Sequence, residues 1–365
     1  MRMGLYVLFL QLVRLGIGSS KDVIIPHGVD WAKLKALADR QGLAAIVLDG
    51  IGSYQDSCSK FQVSSSDTVP LQLKLEWIAD VLQNYEQRYA QYKNAIISLA
   101  RFYNQLGCKM MVLKGFACSL DWPKPKHRPC GDVDIWLFGQ QKYADAEISS
   151  EKCIKIDCSH HHHTVFEWEG FRIENHYDFV NVYAHKSSRE LEVVFKELGK
   201  DDSHFEEVNG NKVYLPSPNL HALFLIKHMV SHFAAAEITL RQILDWAFFV
   251  EKHTTEIDWS WLVMVLEKYH MKDFFNIINA ICVGDLGFDV CLFPSVQFDP
   301  FMKERVLMDI LVPAYSAAEP RGILKRMVYK YKRWQGNAWK QRMCYSESRS
   351  ETFFTGMWSH IIKPS

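Results

Sequence analysis

Two aspartates, Asp132 and Asp134, sit two residues apart in a segment that reads as β-strand, where side chains at i and i+2 leave the same face of a sheet. Carboxylates this close repel unless a cation neutralises them, and hard oxygen ligands suit Mg²⁺, with phosphate oxygens completing its octahedron. Gly131, just before them, has no side chain to block a ligand from the backbone. Eighteen residues upstream of Asp132 a short apolar run ends in Lys114-Gly115 and a helix is expected to begin. Free amide hydrogens at a helix start, together with the compact charge of Lys114, suit a phosphate. Between the two motifs Arg128 offers a planar fork that fits a phosphate, a substrate carboxylate or a surface ion pair.

The elements needed to hold these residues are legible from periodicity. Before the motifs the chain reads as helix: an amphipathic helix over 4–18, another over 30–42 capped by Asp30 and ended by Gly42, and one long helix or two in line over 71–106. Residues 52–68, rich in Ser, Asp and Gln, read as loop. The texture changes after Gly107: strand 109–113, short helix 116–122, Pro-rich loop 123–129, strand 132–138 and helix 141–152. A hairpin is expected from 164–168 and 171–179 around Glu169-Gly170, then a helix over 191–198 and a short strand over 212–215. Helical spacing returns in 219–236, 238–252, 259–270, 273–283, 303–311 and 321–334. The expected organisation is an N-terminal helical region (1–107), a small mixed-sheet α/β core (108–216) and a C-terminal helical domain (217–365), an α+β fold.

Three further groups stand out. Strand alternation puts Glu174, His176 and Asp178 on one face of the hairpin. His160–His163 are four consecutive histidines leading into that hairpin; on a strand they alternate faces and cannot all ligate one ion, so a polar strand edge near the cleft is expected. On the C-terminal helices His228 and His232 share a face, as do Arg241 and Asp245; an i, i+4 ion pair accounts for the latter, unless Arg241 turns to the cleft to hold a nucleotide or acceptor. The basic stretch 325–342 interleaves Tyr329, Tyr331, Trp334 and Trp339 and reads as a solvated face with its aromatics packed inward.

The order of these pieces resembles a family of uncharacterised nucleotidyltransferases related to the DNA polymerase beta-like superfamily. The resemblance is carried by Val112-Leu113-Lys114-Gly115, Trp122-Pro123, Arg128-Pro129, Gly131-Asp132-Val133-Asp134, Ile173-Glu174-Asn175-His176 and Leu240-Arg241-Gln242-Ile243-Leu244-Asp245-Trp246. It implies a third carboxylate at Glu174, with Asp132 and Asp134 holding two Mg²⁺ ions and Glu174 binding the catalytic one and helping to accept the proton of an attacking hydroxyl. Because His176 shares a strand face with Glu174, its candidate roles are orienting that carboxylate or binding phosphate. Where the wider superfamily has a Gly-Ser pair that gives a hydroxyl to the triphosphate, this chain has Lys114-Gly115. The implied partners are a nucleoside triphosphate and an unidentified acceptor: small molecule, protein or RNA.

Composition narrows the class. Lys plus Arg and Asp plus Glu both total 42, so no overall field draws the chain of 365 residues to nucleic acid or an anionic membrane. Nine scattered cysteines without a CxxC pair fit a reducing, cytoplasmic setting better than a disulfide or zinc framework. No segment approaches the ~20 apolar residues of a membrane span. Two other readings stay open: a module of the same fold that binds nucleotide or protein without turnover, as in a toxin–antitoxin-like pair, and a DxD glycosyltransferase. The second ranks last, because 1–107 reads as helix rather than as a nucleotide-sugar-binding sheet.

Overall fold

A computed structural model describes residues 2–58, 68–183, 185–294, 297–315 and 320–348. The chain opens with α1 (Arg2–Gly16), α2 (Trp31–Gln41) and α3 (Ala44–Cys58). Asp30 caps α2 by accepting from the Lys33 amide, and Gly42 ends it in the left-handed conformation, as the spacing predicts. Residues 52–58, expected as loop from their polar composition, continue α3; positions 59–67 of that expected loop lie outside the described residues. α4 (Leu71–Val81) and α5 (Arg88–Gln105) are joined by a π-helical stretch, Leu82–Gln87, into one rod. The wide turn re-phases the apolar face. Trp77 and Val81 of α4 bury among helices, whereas Tyr92, Ile96, Leu99 and Tyr103 of α5 bury beneath the sheet.

The central region is β1 (Met111–Val112), α6 (Phe116–Ser119), β2 (Val133–Trp136), α7 (Gln141–Lys152), β3 (His163–Trp168), β4 (Phe171–His176), α8 (Lys186–Leu198), β5 (Phe205–Val208) and β6 (Asn211–Tyr214). The strands form one mixed sheet in the order β3-β4-β2-β1-β6-β5, with β2 parallel to β4 and antiparallel to β1. The expected hairpin is β3–β4. The strand β5 was not foreseen, because Phe205, Glu206 and Glu207 are all exposed on the sheet edge and show no apolar alternation. Alternation along β2 decides the site: Val133 and Ile135 enter the core shared with α5 and α7, while Asp134 and Trp136 face the opposite way.

That opposite face is covered by the C-terminal helices α9 (Pro218–Ala235), α10 (Leu240–His253), α11 (Trp259–Lys268), α12 (Lys272–Gly284), α13 (Pro300–Leu311), α14 (Ile323–Gly336) and α15 (Ala338–Cys344). α10 starts with a reciprocal capping box, Thr239 with Gln242. The apolar interior does not divide at residues 107 and 216. Phe9, Leu34 and Ile46 of the first helices share one continuous cluster with Leu223, Trp246 and Phe275 of the last, and with Met111 and Trp136 of the sheet. In α14 the inward packing expected of the aromatics fails at Tyr331, which is 57% exposed beside exposed Leu324 and Met327. Among the described residues no helix is long and apolar enough to cross a membrane.

The α1–α3 contact depends on two glycines. A Cβ at Gly50 would lie 2.1 Å from the Leu12 carbonyl oxygen, and one at Gly16 would lie 2.0 Å from that of Ile46, so the backbones approach too closely for any side chain. Gly52, in the same helix, has open space around it. Gly50→Ala should therefore destabilise the protein by about 1–3 kcal/mol, and Gly52→Ala should stabilise it by about 0.5–1 kcal/mol. Urea unfolding of the two variants measures both signs.

Candidate active site

A cavity of about 680 Å³ lies between the sheet face bearing Asp134 and helices α9 and α10. Its lining includes Lys114, Gly115, Arg128, Gly131, Asp132, Asp134, Glu174, His176 and Arg241, so the fold brings these nine residues to one place. It lies within the size range of pockets for small ligands.

The floor is built by register. Parallel pairing of β2 and β4 sets Asp134 beside Glu174 and Trp136 beside His176. Asp134 is buried, and Lys114, delivered by the end of β1, places Nζ 2.9 Å from Asp134 Oδ1. His176 Nε2 lies 3.1 Å from the same oxygen, while Oδ2 is buried without a hydrogen-bond partner among the described residues. Burial would push the Asp134 carboxyl up, but Lys114 and His176 outweigh it and hold the group well below the usual carboxylate range. Burial likewise works against the Lys114 ammonium, and Asp134, Asp132 and Glu174 more than restore its charge. Lys114 Nζ also donates to His228 Nε2 at 3.1 Å.

Asp132 precedes β2 and is exposed at the mouth of the cavity. Its backbone carbonyl accepts from the Tyr92 hydroxyl at 3.1 Å. That hydroxyl crosses the turn at Gly115, where φ is +62° and a Cβ would sit 2.3 Å from the Tyr92 oxygen. Gly115 is thus demanded by packing as much as by any ligand. α6 is a single turn, so its dipole adds little and Lys114 carries the positive charge that the sequence had shared between them.

Glu174 is held above its ordinary value by burial and by the charges of Asp134 and Asp132. Arg172 Nη2 lies 3.2 Å from its Oε1. One oxygen each from Asp134 and Glu174 and one nitrogen of His176 lie within 4.8 Å of one another. An orphaned buried carboxylate oxygen and a carboxyl whose charge is disfavoured by like neighbours are what a divalent cation would relieve, and oxygen donors of this kind fit Mg²⁺. His176 fits the same view. Its Nδ1 lies 3.2 Å from the Asp178 carbonyl, an acceptor, and its Nε2 faces Asp134, another acceptor, so a proton or a metal ion belongs on the Nε2 side. Asp178, expected to share this face, instead accepts from Lys196 at 2.5 Å.

Arg128 is not at the surface. Its Nε and Nη2 donate to the two oxygens of Asp245 at 2.7 and 2.9 Å, and Trp122 Nε1 donates to the same carboxylate at 2.8 Å, all among buried groups. The fork expected for phosphate is occupied in clamping the Pro-rich loop to α10. Asp245 therefore does not pair with Arg241 one turn earlier. Arg241 forms no hydrogen bond or ion pair with any described residue; its stem packs beside Gly42 and Pro129, and its charge is disfavoured by burial and by Arg128. A cavity-lining guanidinium with no hydrogen-bonded carboxylate among the described residues has the planar donor set that a phosphate or carboxylate fits.

Sequence reasoning put His228 and His232 on one helix face without bringing them to the cleft, and it missed the lining residues Lys227, His185 and Tyr345. Tyr345 stacks on His185 with ring centroids 3.7 Å apart, and its hydroxyl accepts from Lys227 at 3.3 Å. No local signal marks these residues. His162 and His163 both line the cavity although they are adjacent in sequence, because His162 lies in a bend and strand alternation starts only at His163. Burial, with neighbouring histidines, lowers His162 to about 2 and His163 to about 3, so both rings are neutral.

The fold and cavity define an α+β protein that gathers acidic residues from paired central strands under a helical cover. A family model described as uncharacterised nucleotidyltransferase matches residues 27–283, and the chain belongs to that family. No curated protein and no solved structure matches it.

Asp245→Ala would leave Arg128 buried and unpaired and should cost about 3–5 kcal/mol in urea unfolding. Trp122→Phe, which removes one neutral donor and keeps the ion pair, should cost about 1 kcal/mol.

Proposed function

We propose that the chain is a Mg²⁺-dependent enzyme that transfers a nucleoside monophosphate from a nucleoside triphosphate to a hydroxyl or phosphate acceptor. Family membership supports nucleotidyl transfer in general. The observation that carries the finer reading is the parallel register that aligns Asp134 with Glu174, with Asp132, Lys114 and Arg241 lining the same cavity.

Mg²⁺ held by Asp132, Asp134 and Glu174 would neutralise phosphate oxygens and favour ionisation of the attacking oxygen. The remaining work falls to the chain. Arg241, without a hydrogen-bond or ion-pair partner among the described residues, takes the triphosphate, and Lys114 supplies a second cation in the same cavity. His228, kept neutral by burial and by Lys114, holds Lys114 without competing for anionic oxygens. The acceptor oxygen bonds to the α-phosphorus as the bond from that phosphorus to the β-bridging oxygen breaks, and pyrophosphate leaves. The acceptor's proton passes to Glu174, whose carboxylate stands beside Asp134 on the cavity floor.

Isothermal titration with nucleoside triphosphates and Mg²⁺, followed by a pyrophosphate-release assay over a set of acceptors, tests the reading. Nucleotide bound without release by any acceptor would make the protein a binding module instead. Asp132→Asn, at an exposed position, should lower release by about a hundredfold or more and leave the melting temperature nearly unchanged. Asp134→Asn should abolish release as well and also destabilise the fold by roughly 3 kcal/mol, because it strips the buried Lys114 of its counter-charge.

A further inference from the structure

We propose that His162, His163 and His176 form a binding site for a divalent transition ion of the Zn²⁺ type, beside the carboxylates and distinct from any Mg²⁺ they hold. One ring nitrogen from each of the three lies within 4.8 Å of the others, and the ring centroids are 4.4 to 5.4 Å apart. Nitrogens sharing a Zn²⁺ sit roughly 3.4 Å apart at ordinary bond lengths, so small side-chain rotations close the set. His163 is 6% exposed, and among the described residues neither of its ring nitrogens has a hydrogen-bond partner; His162 Nδ1 is likewise buried and without one there. Buried imidazoles in a polar cavity are normally paired, and unpaired ones aimed at a common point mark a ligand that is itself an acceptor of lone pairs.

The third ligand is already oriented. The Asp178 carbonyl takes the Nδ1 hydrogen of His176, which leaves Nε2, held toward Asp134 Oδ1, as the nitrogen that takes the metal in place of its proton. Glu174 Oε1 lies 3.9 Å from His163 Nε2, so the carboxylate assigned to Mg²⁺ borders this site without being needed as its ligand. Three imidazoles select Zn²⁺, Co²⁺ or Ni²⁺ over Mg²⁺, which demands oxygen donors. The site also links the two metal sets, because His176 Nε2 faces Asp134 Oδ1 in the same cavity. A transition ion on His176 frees Asp134 from that contact.

This inference does not rest on nucleotidyl transfer, and the experiment reads metal directly. The full-length chain, stripped of metal, is titrated with Co²⁺ in millimolar Mg²⁺. One equivalent should bind, with the visible absorption of a nitrogen-rich site of low coordination, and Zn²⁺ should bleach it. His163→Ala should weaken Co²⁺ binding by at least about tenfold, while His160→Ala and Asp132→Asn leave it unchanged. Equal weakening by His160→Ala and His163→Ala would reduce the run to an adventitious chelating tag and overturn the site, as would displacement of Co²⁺ by Mg²⁺. X-ray absorption on the unaltered, Zn²⁺-loaded chain decides the matter even if His163→Ala fails to fold: three imidazole ligands support the site, two or fewer overturn it. Loss of pyrophosphate release in Asp132→Asn with Co²⁺ binding intact separates this site from the catalytic one.

Discussion

The negative charge of Asp134 is the constraint around which the rest is arranged. A carboxylate this deeply buried survives as an anion only with partners, and it has Lys114 and His176 on one oxygen and none on the other. Each partner is delivered by a different strand next to β2, Lys114 from the end of β1 and His176 from β4. The order β4-β2-β1 is therefore an electrostatic requirement as well as a packing solution. Displacing either neighbour by one residue would send its charge to the opposite, apolar face of the sheet.

That arrangement leans on contacts between distant parts of the chain. Arg128 and Asp245, 117 residues apart, pin the loop that leads into β2 against α10. His228 reaches Lys114 from α9 across 114 residues. Both links cross the face where the first and last helices merge into one apolar cluster, so sheet and cover cannot be loosened independently. A site assembled across such a shared core is held to tight tolerance by packing. Tyr345 extends this logic beyond residues 27–283, the stretch matched by the family, because it closes a wall of the cavity from the C-terminal segment.

How much of this the sequence revealed follows the range of the interactions. The Lys114–Asp134 block and the hairpin bearing Glu174 are legible because period-2 alternation and short turns are local properties. The α+β class is legible for the same reason. Arg128 misleads because its partner lies far along the chain, so burial turns a candidate phosphate fork into a structural clamp. Residues 52–58 mislead because their polar composition suggests a loop, while the close approach of α1 to Gly50 carries the helix on. The edge strand β5 has no apolar face to betray it. The adjacent His162 and His163 were read under strand alternation, which begins one residue too late to separate them.

The pair Lys114-Gly115 takes on a specific meaning in this setting. Gly115 admits the Tyr92 hydroxyl that secures the Asp132 carbonyl, so the turn positions one carboxylate residue while its lysine neutralises the other. A hydroxyl at this place would contribute a hydrogen bond but no charge, and would leave Asp134 buried with His176 alone on its oxygens. A metal ion entering the site meets Asp134 Oδ1 already engaged by an ammonium group, and two cations at one oxygen repel. The negative charge of a bound triphosphate would offer Lys114 an alternative partner and relax that competition. On the nucleotidyl-transfer reading, metal loading and nucleotide binding are then coupled through Lys114, each making the other more favourable.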